Sequence, residues 1–288
     1  MNEKHYYENG RWHHEWHQSD LKTFGMCPQR ARYLWSGEVT DFVGDAAVLG
    51  TACHQAVEHL LGYYREDGMA ASPIHISDTS YLELHERFGH ELEEAVPTIT
   101  RWNSYKTKEN LLKVGSAKLD AWYEKVYPGL TPLQVEVSFD EVLYEDDERV
   151  VRLAGQIDLI DSNLGLVDWK FSKPDYAGTD RNGVQRNKWE YDRWDIQSMV
   201  YCWAAARDRF TWYCMYGTDG GVSTWTVSRG DLEFGFLRRK VEAASRLVEA
   251  TDLEVWPLND AGWWCSEKWA PCWSACKGKT TASEDANG

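Results

Sequence analysis

Asp158 and the triplet Asp168-Trp169-Lys170 are the residues whose types and spacing point most directly to chemistry. Side chains alternate along a strand, so Asp168 and Lys170 share one face, about 6.6 Å apart along the chain. Val167, Trp169 and Phe171 then point to the other face. In the stretch before it, Leu153, Ile157 and Leu159 have one parity and Asp158 the other. A hairpin joining the two stretches sets Asp158 beside Asp168. Two carboxylates that close repel unless a cation lies between them. Mg²⁺ or Mn²⁺, hard and oxygen-seeking, suits such a place.

Two helical spacings add to this. Gly50-Thr51-Ala52-Cys53-His54 puts an imidazole on a helix, with Glu58 four residues on along the same face. Gln197 and Tyr201 are likewise four apart and can direct donors at phosphates or bases. The chain also carries seven cysteines, an odd number. The first ten residues lack an apolar core of the secretory kind, which argues against a disulfide framework and for metal or cluster ligation.

The elements that must position these groups follow from periodicity. The first 18 residues, rich in His and aromatics, read as irregular, with His13, His14 and His17 solvated. Ser19 suits the cap of a short helix to Phe24, and Pro28 the first turn of the next. Apolar residues at helical spacing predict helices over 45–65, 79–95 and 106–127, the last ended by Pro128-Gly129. The period then changes. Strands are expected at 134–139, 142–144, 150–161 and 166–171, with a turn at 162–165. A polar loop over 173–190, a helix over 192–208, strands at 210–216 and 222–227 and a helix over 230–250 complete the pattern. The reading is a single α/β domain over 1–276, with a helical N-terminal part and a polar, disordered tail over 277–288.

Composition sets the remaining bounds. The 288 residues are 43% hydrophobic and carry a formal charge of −15, which excludes an overall basic coat for nucleic acid but not a local basic channel. Arg30, Arg32, Lys106, Lys108, Lys113, Arg181, Arg186, Lys188 and Arg193 are the candidates to line one. The 16 tryptophans exceed what a core of this size needs and suggest base stacking, which favours single strands. No apolar run is long enough to span a membrane, and a cytoplasmic protein is expected.

Taken in order, Gly50-x-x-x-His54, Gly155-x-x-Asp158, Asp168-x-Lys170 and Gln197-x-x-x-Tyr201 resemble the PD-(D/E)XK nucleases of the RecB-like branch. Cys27-Pro28 and the late Cys265-x6-Cys272-x3-Cys276 resemble the iron–sulfur members: AddB-type nucleases and the CRISPR-associated and phage exonucleases related to them. The resemblance implies a restriction-endonuclease-like core, a central mixed sheet flanked by helices, with a C-terminal iron–sulfur region. It implies that His54, Asp158, Asp168 and the carbonyl of Trp169 hold Mg²⁺ or Mn²⁺. Lys170 would orient or deprotonate the attacking water, and Gln197 and Tyr201 would contact DNA. Cys27, Cys265, Cys272 and Cys276 would bind a [4Fe–4S] cluster, with structural Zn²⁺ as the alternative. Glu136 is a minor candidate to assist through water. The implied activity is metal-dependent exonuclease cleavage of single-stranded DNA ends in recombination, repair, or phage or CRISPR DNA processing, with a helicase or recombination protein as partner. The competing readings are a structure-specific endonuclease, a non-catalytic iron–sulfur DNA-binding module and an acidic DNA mimic.

Overall fold

The computed structural model describes residues 3–66, 78–175, 188–250, 256–259, 261–262 and 264–277. In chain order the elements are β1 (His5–Glu8), β2 (Arg11–His17), α1 (Gln18–Met26), α2 (Pro28–Trp35), α3 (Asp45–Glu66), α4 (Asp78–Ala95) and α5 (Lys108–Lys125). They continue with β3 (Pro132–Glu145), β4 (Arg149–Asp161), β5 (Gly165–Phe171), α6 (Lys188–Ala204), β6 (Arg209–Tyr216), β7 (Gly221–Ser228), α7 (Asp231–Ala250) and α8 (Trp273–Lys277). The tail from 278 onward lies outside the described residues. The fold class is α/β, with mixed strand pairing and flanking helices. No helix among the described residues is long and apolar enough to cross a membrane.

The chain divides into two compact units. The first comprises Met1–Phe42, Asp140–Ala154 and Gly235–Gly288. Its start is a correction to the sequence reading, because the expected irregular segment is a β-hairpin. Asn9 and Gly10, with φ of 51° and 82°, form its two-residue turn between Glu8 and Arg11. β2 pairs in parallel with β4, Trp12 opposite Arg149 through His17 opposite Ala154. His14 is not solvated either. It is 1% exposed, with Nδ1 3.2 Å from His5 Nδ1 and Nε2 3.1 Å from Glu249. Burial lowers the pKa of both imidazoles, that of His5 to about 3, so both are neutral near neutral pH. Arg149 grips the same Glu249 through Nε at 2.9 Å and Nη2 at 3.2 Å. Trp16, fully buried, donates from Nε1 to Ser245 on α7.

The second unit comprises Val43–Phe139 and Gly155–Phe234. Here β4 and β5 run antiparallel, β5 and β6 parallel, and β6 and β7 antiparallel. α3, α4 and α5 bury Leu49, Val57, Leu61, Phe88, Leu119 and Trp122 in one core with Leu159, Val167 and Trp169 from the strands. Thr107 caps α5 by accepting from the Asn110 N–H, so the helix starts just after the expected 106. The expected strands at 134–139 and 142–144 are one strand, β3, which pairs with β4. α6 ends at Ala204, short of the expected 208. Ala206 adopts φ 50°, and the N–H groups of Ala205, Ala206 and Arg207 close onto the last carbonyls.

The expected 162–165 turn is present, and Gly165 explains it. Its φ is +78°, and a Cβ there would lie 2.6 Å from the Arg209 carbonyl oxygen. Gly165→Ala combines left-handed strain with a backbone clash and is expected to cost about 2–4 kcal/mol in denaturant unfolding. A loss below about 0.5 kcal/mol would show that the turn relaxes.

Candidate active site

The second unit gathers the expected residues from four elements, α3, β4, β5 and α6. α3 supplies His54, and its start is fixed by Asp45, which is 1% exposed. Asp45 accepts from the backbone N–H groups of Ser104 at 2.8 Å, Tyr105 at 2.6 Å and Lys106 at 3.1 Å. Lys106, with φ 70°, curls the loop so that these donors converge. Burial alone would raise the Asp45 pKa, yet the backbone donors prevail and hold it below its ordinary value. Asp45→Asn is expected to cost about 1.5–3 kcal/mol at neutral pH. A depressed carboxylate stabilises the fold above its unfolded pKa, about 3.9, and the stabilisation is lost as pH falls through the folded value. The gap between wild type and variant in urea unfolding should therefore close in acid. A gap independent of pH would contradict the charge argument.

His54 sits at the edge of the core, with Nδ1 3.4 Å from Asp158 Oδ2 and its ring edge-on to Phe171. Burial, then the Lys170 ammonium, lowers its pKa to about 4. The ring is thus neutral at working pH and keeps a lone pair to offer. Asp158, on β4, accepts from the Trp169 N–H at 3.1 Å. Burial and the neighbouring Asp168 push its pKa well up. Asp168, on β5, is 1% exposed. Its Oδ1 takes a 2.5 Å hydrogen bond from Gln197 Nε2 on α6, and its Oδ2 lies 2.5 Å from Lys170 Nζ. The Asp168 face of β5 is therefore enclosed.

Gly155 and Tyr201 have a packing logic. A Cβ on Gly155 would come within 2.8 Å of the Phe139 ring. Phe139 in turn meets the ring of Tyr201 edge-on at 5.6 Å. The glycine lets Phe139 settle beneath Tyr201, which is buried. The Tyr201 hydroxyl pKa is raised, by burial first and then by Asp168 and Asp158.

Glu136 carries more than the sequence suggested. It sits on β3 in a left-handed conformation, φ 49°, and is half-buried. Burial, then Asp158, Glu58 and Asp168, raises its pKa to about 8. The sequence signal, a glutamate at the start of the strand paired with β4, was present but indistinct. Carboxylates crowded together with raised pKa values are a donor set short of positive charge. Asp168 Oδ2 meets the Lys170 ammonium, while Gln197 Oε1 is buried with no hydrogen bond. The residues thus suit a hard divalent cation. As placed, though, no three His, Cys, Asp or Glu side chains among the described residues form a group that could hold a metal ion.

The cysteines separate into two sets. Cys53, Cys202 and Cys214 are buried in the second unit, and burial pushes the Cys202 thiol up to about 12. Cys27, Cys265, Cys272 and Cys276 line one pocket in the first unit, with Arg30, Trp264, Trp273 and Lys277 among its walls. None of the seven forms a disulfide. Cys27 is fixed at the joint of two helices: its N–H donates to Thr23 and its carbonyl accepts from Ala31. Gln29 then pins the late segment to α2, donating from its N–H to the Pro257 carbonyl and accepting the Trp256 N–H on Oε1. Burial raises the Cys272 thiol pKa, as do Cys276 and Cys27, while Arg30 pulls it down.

Several expected DNA contacts are engaged elsewhere. Arg30 pairs with Asp41, Arg32 with Glu38 and Lys108 with Glu93. Arg181 and Arg186 lie outside the described residues, as do the side chains of Lys188 and Arg193. Much of the tryptophan surplus is core: Trp16, Trp122, Trp169, Trp212 and Trp256 are all buried.

No curated protein matches the chain. Among solved structures, a candidate exonuclease from Eubacterium rectale is 14% identical, covering 86% of each chain with a TM-score of 0.49. An alkaline exonuclease from Laribacter hongkongensis is 9% identical, covering 73% of this chain and 88% of its own, with a TM-score of 0.30. A phage related exonuclease from Haemophilus somnus is 14% identical, covering 68% and 94%, with a TM-score of 0.32. These superpositions are loose, and the assignment rests on sequence: the family model of the PD-(D/E)XK nuclease superfamily matches residues 15–262. The chain belongs to the PD-(D/E)XK nuclease superfamily.

Proposed function

We propose that the chain is a metal-dependent deoxyribonuclease, an exonuclease acting on single-stranded ends and leaving 5′-phosphates. The observation that carries the proposal is the convergence of Asp158, Asp168, Lys170, His54 and Gln197, drawn from β4, β5, α3 and α6 of one unit. His54, Asp158, Asp168 and the Trp169 carbonyl are the groups that would hold Mg²⁺ or Mn²⁺. A divalent ion there supplies charge neutralisation at the phosphate and a more acidic water.

The protein groups have separable roles. Asp168 sets both the Lys170 ammonium and the Gln197 amide through its two oxygens, so one carboxylate orients a cation and a donor together. Lys170 is placed to orient the attacking water and to offset charge on the phosphate. Gln197 and Tyr201, one helical turn apart, are the candidate contacts to the strand beside the scissile phosphate. Cleavage of end-labelled single strands by wild type in Mg²⁺ or Mn²⁺, without cleavage in EDTA, tests the proposal. Products bearing 3′-phosphates, or cleavage in EDTA, would reject it.

The same proposal places a [4Fe–4S] cluster on Cys27, Cys265, Cys272 and Cys276, joining the N-terminal helices to the C-terminal segment. The support is that all four thiols line one cavity. Iron, sulfide and zinc assays on anaerobically purified protein decide between cluster and zinc.

A further inference from the structure

We infer that Arg30 is the charge partner of the sulfur-ligated centre and sets its reduction potential from the cavity wall. The inference rests on the four-cysteine reading above and assigns a role to a residue outside that set.

Arg30 follows Cys27 by three positions on α2 and lines the same cavity as the four thiols. Its guanidinium is held at one end only. Nη2 reaches both oxygens of Asp41, at 3.3 and 3.2 Å. Nε is buried and has no hydrogen-bond acceptor. A buried N–H without an acceptor is unfavourable and calls for a partner. Asp41 is half-exposed, so it only partly cancels the charge. The guanidinium gives the pocket wall a positive charge.

Four thiolates around an iron–sulfur core leave a net negative charge that grows by one on reduction. A fixed cation beside it favours the reduced state. Lys277 lies on the same wall but is solvent-exposed, where water screens its charge. Arg30 is therefore the wall residue with the larger effect on the centre.

The test is a mediated redox titration of the anaerobically purified full chain, with dithionite as the electron donor. Arg30→Met is expected to lower the midpoint potential by at least a tenfold change in the reduction equilibrium, about 59 mV for a one-electron couple. Arg30→Lys, which keeps the charge but not Nε, should recover part of the shift. Asp41→Asn should move the potential the other way, because it unmasks the guanidinium. A smaller or opposite shift in Arg30→Met overturns the inference. If that variant fails to take up iron, Asp41→Asn decides: a rise supports the inference and no rise overturns it. Wild-type protein holding zinc or no metal defeats the cluster reading and this inference with it, whereas iron-loaded wild type with an unshifted variant defeats only the inference.

Discussion

Asp168→Asn is expected to lower strand cleavage by about a thousandfold or more while leaving the fold intact. The two halves of that result have different causes. The amide oxygen can still accept from Gln197, so the 2.5 Å contact to α6 survives in some form. The ion pair to Lys170 is lost, which destabilises. The repulsion that raises the Asp158 pKa is relieved, which stabilises. These opposing effects should keep the melting temperature within about 5 °C of wild type. Activity has no such compensation, since the substitution removes a ligand candidate and frees the lysine at once. Loss of activity accompanied by gross unfolding would assign Asp168 a mainly structural role. Retained activity would remove it from the site.

Cys27→Ala should have the second large effect, on stability and colour together. Cys27 and the late cysteines are separated by more than two hundred residues, so a shared centre closes a very long loop. A cross-link of that span stabilises by about 5–6 kcal/mol in the chain-entropy picture, or on the order of 10 °C for a chain this size. The variant is expected to lose the brown absorbance and to melt earlier, with Pro257–Lys277 the first region to open to proteolysis. Gln29 still pins Trp256 and Pro257 in that variant, so the loss should be graded along the segment, greatest beyond Cys265. A Cys27→Ala protein with unchanged absorbance and melting would remove Cys27 from the ligand set.

Much of the site could be read from the chain because its signals are local. The parity of Leu153, Ile157 and Leu159 against Asp158, and of Val167, Trp169 and Phe171 against Asp168, is a property of neighbouring residues. The structure buries the apolar set as that parity requires. Gly165 marked the turn that brings the two strands together. The N-terminal hairpin was also written locally, in Asn9-Gly10 and in the alternation of Trp12, His14 and Trp16 with Arg11, His13 and Glu15. Histidine reads as polar, which hides that alternation. What keeps His14 inside is His5 on the neighbouring strand and Glu249, 235 positions away. The Asp45 anchor was hidden for the same reason: its donors lie about sixty residues downstream, and nothing near Lys106 announces a left-handed lysine. Glu136 owes its raised pKa first to burial and then to carboxylates on α3, β4 and β5, none of them near it in sequence.

The measurement closest to the central claim is calorimetric titration of Mn²⁺ into the full chain, read beside release of nucleotides from a labelled single strand. Wild type is expected to bind Mn²⁺, with binding lost in Asp158→Asn and sharply weakened in His54→Ala, and nucleotide release falling in step. Mn²⁺ bound equally by wild type and Asp158→Asn, or strand cleavage that survives both substitutions, would contradict it.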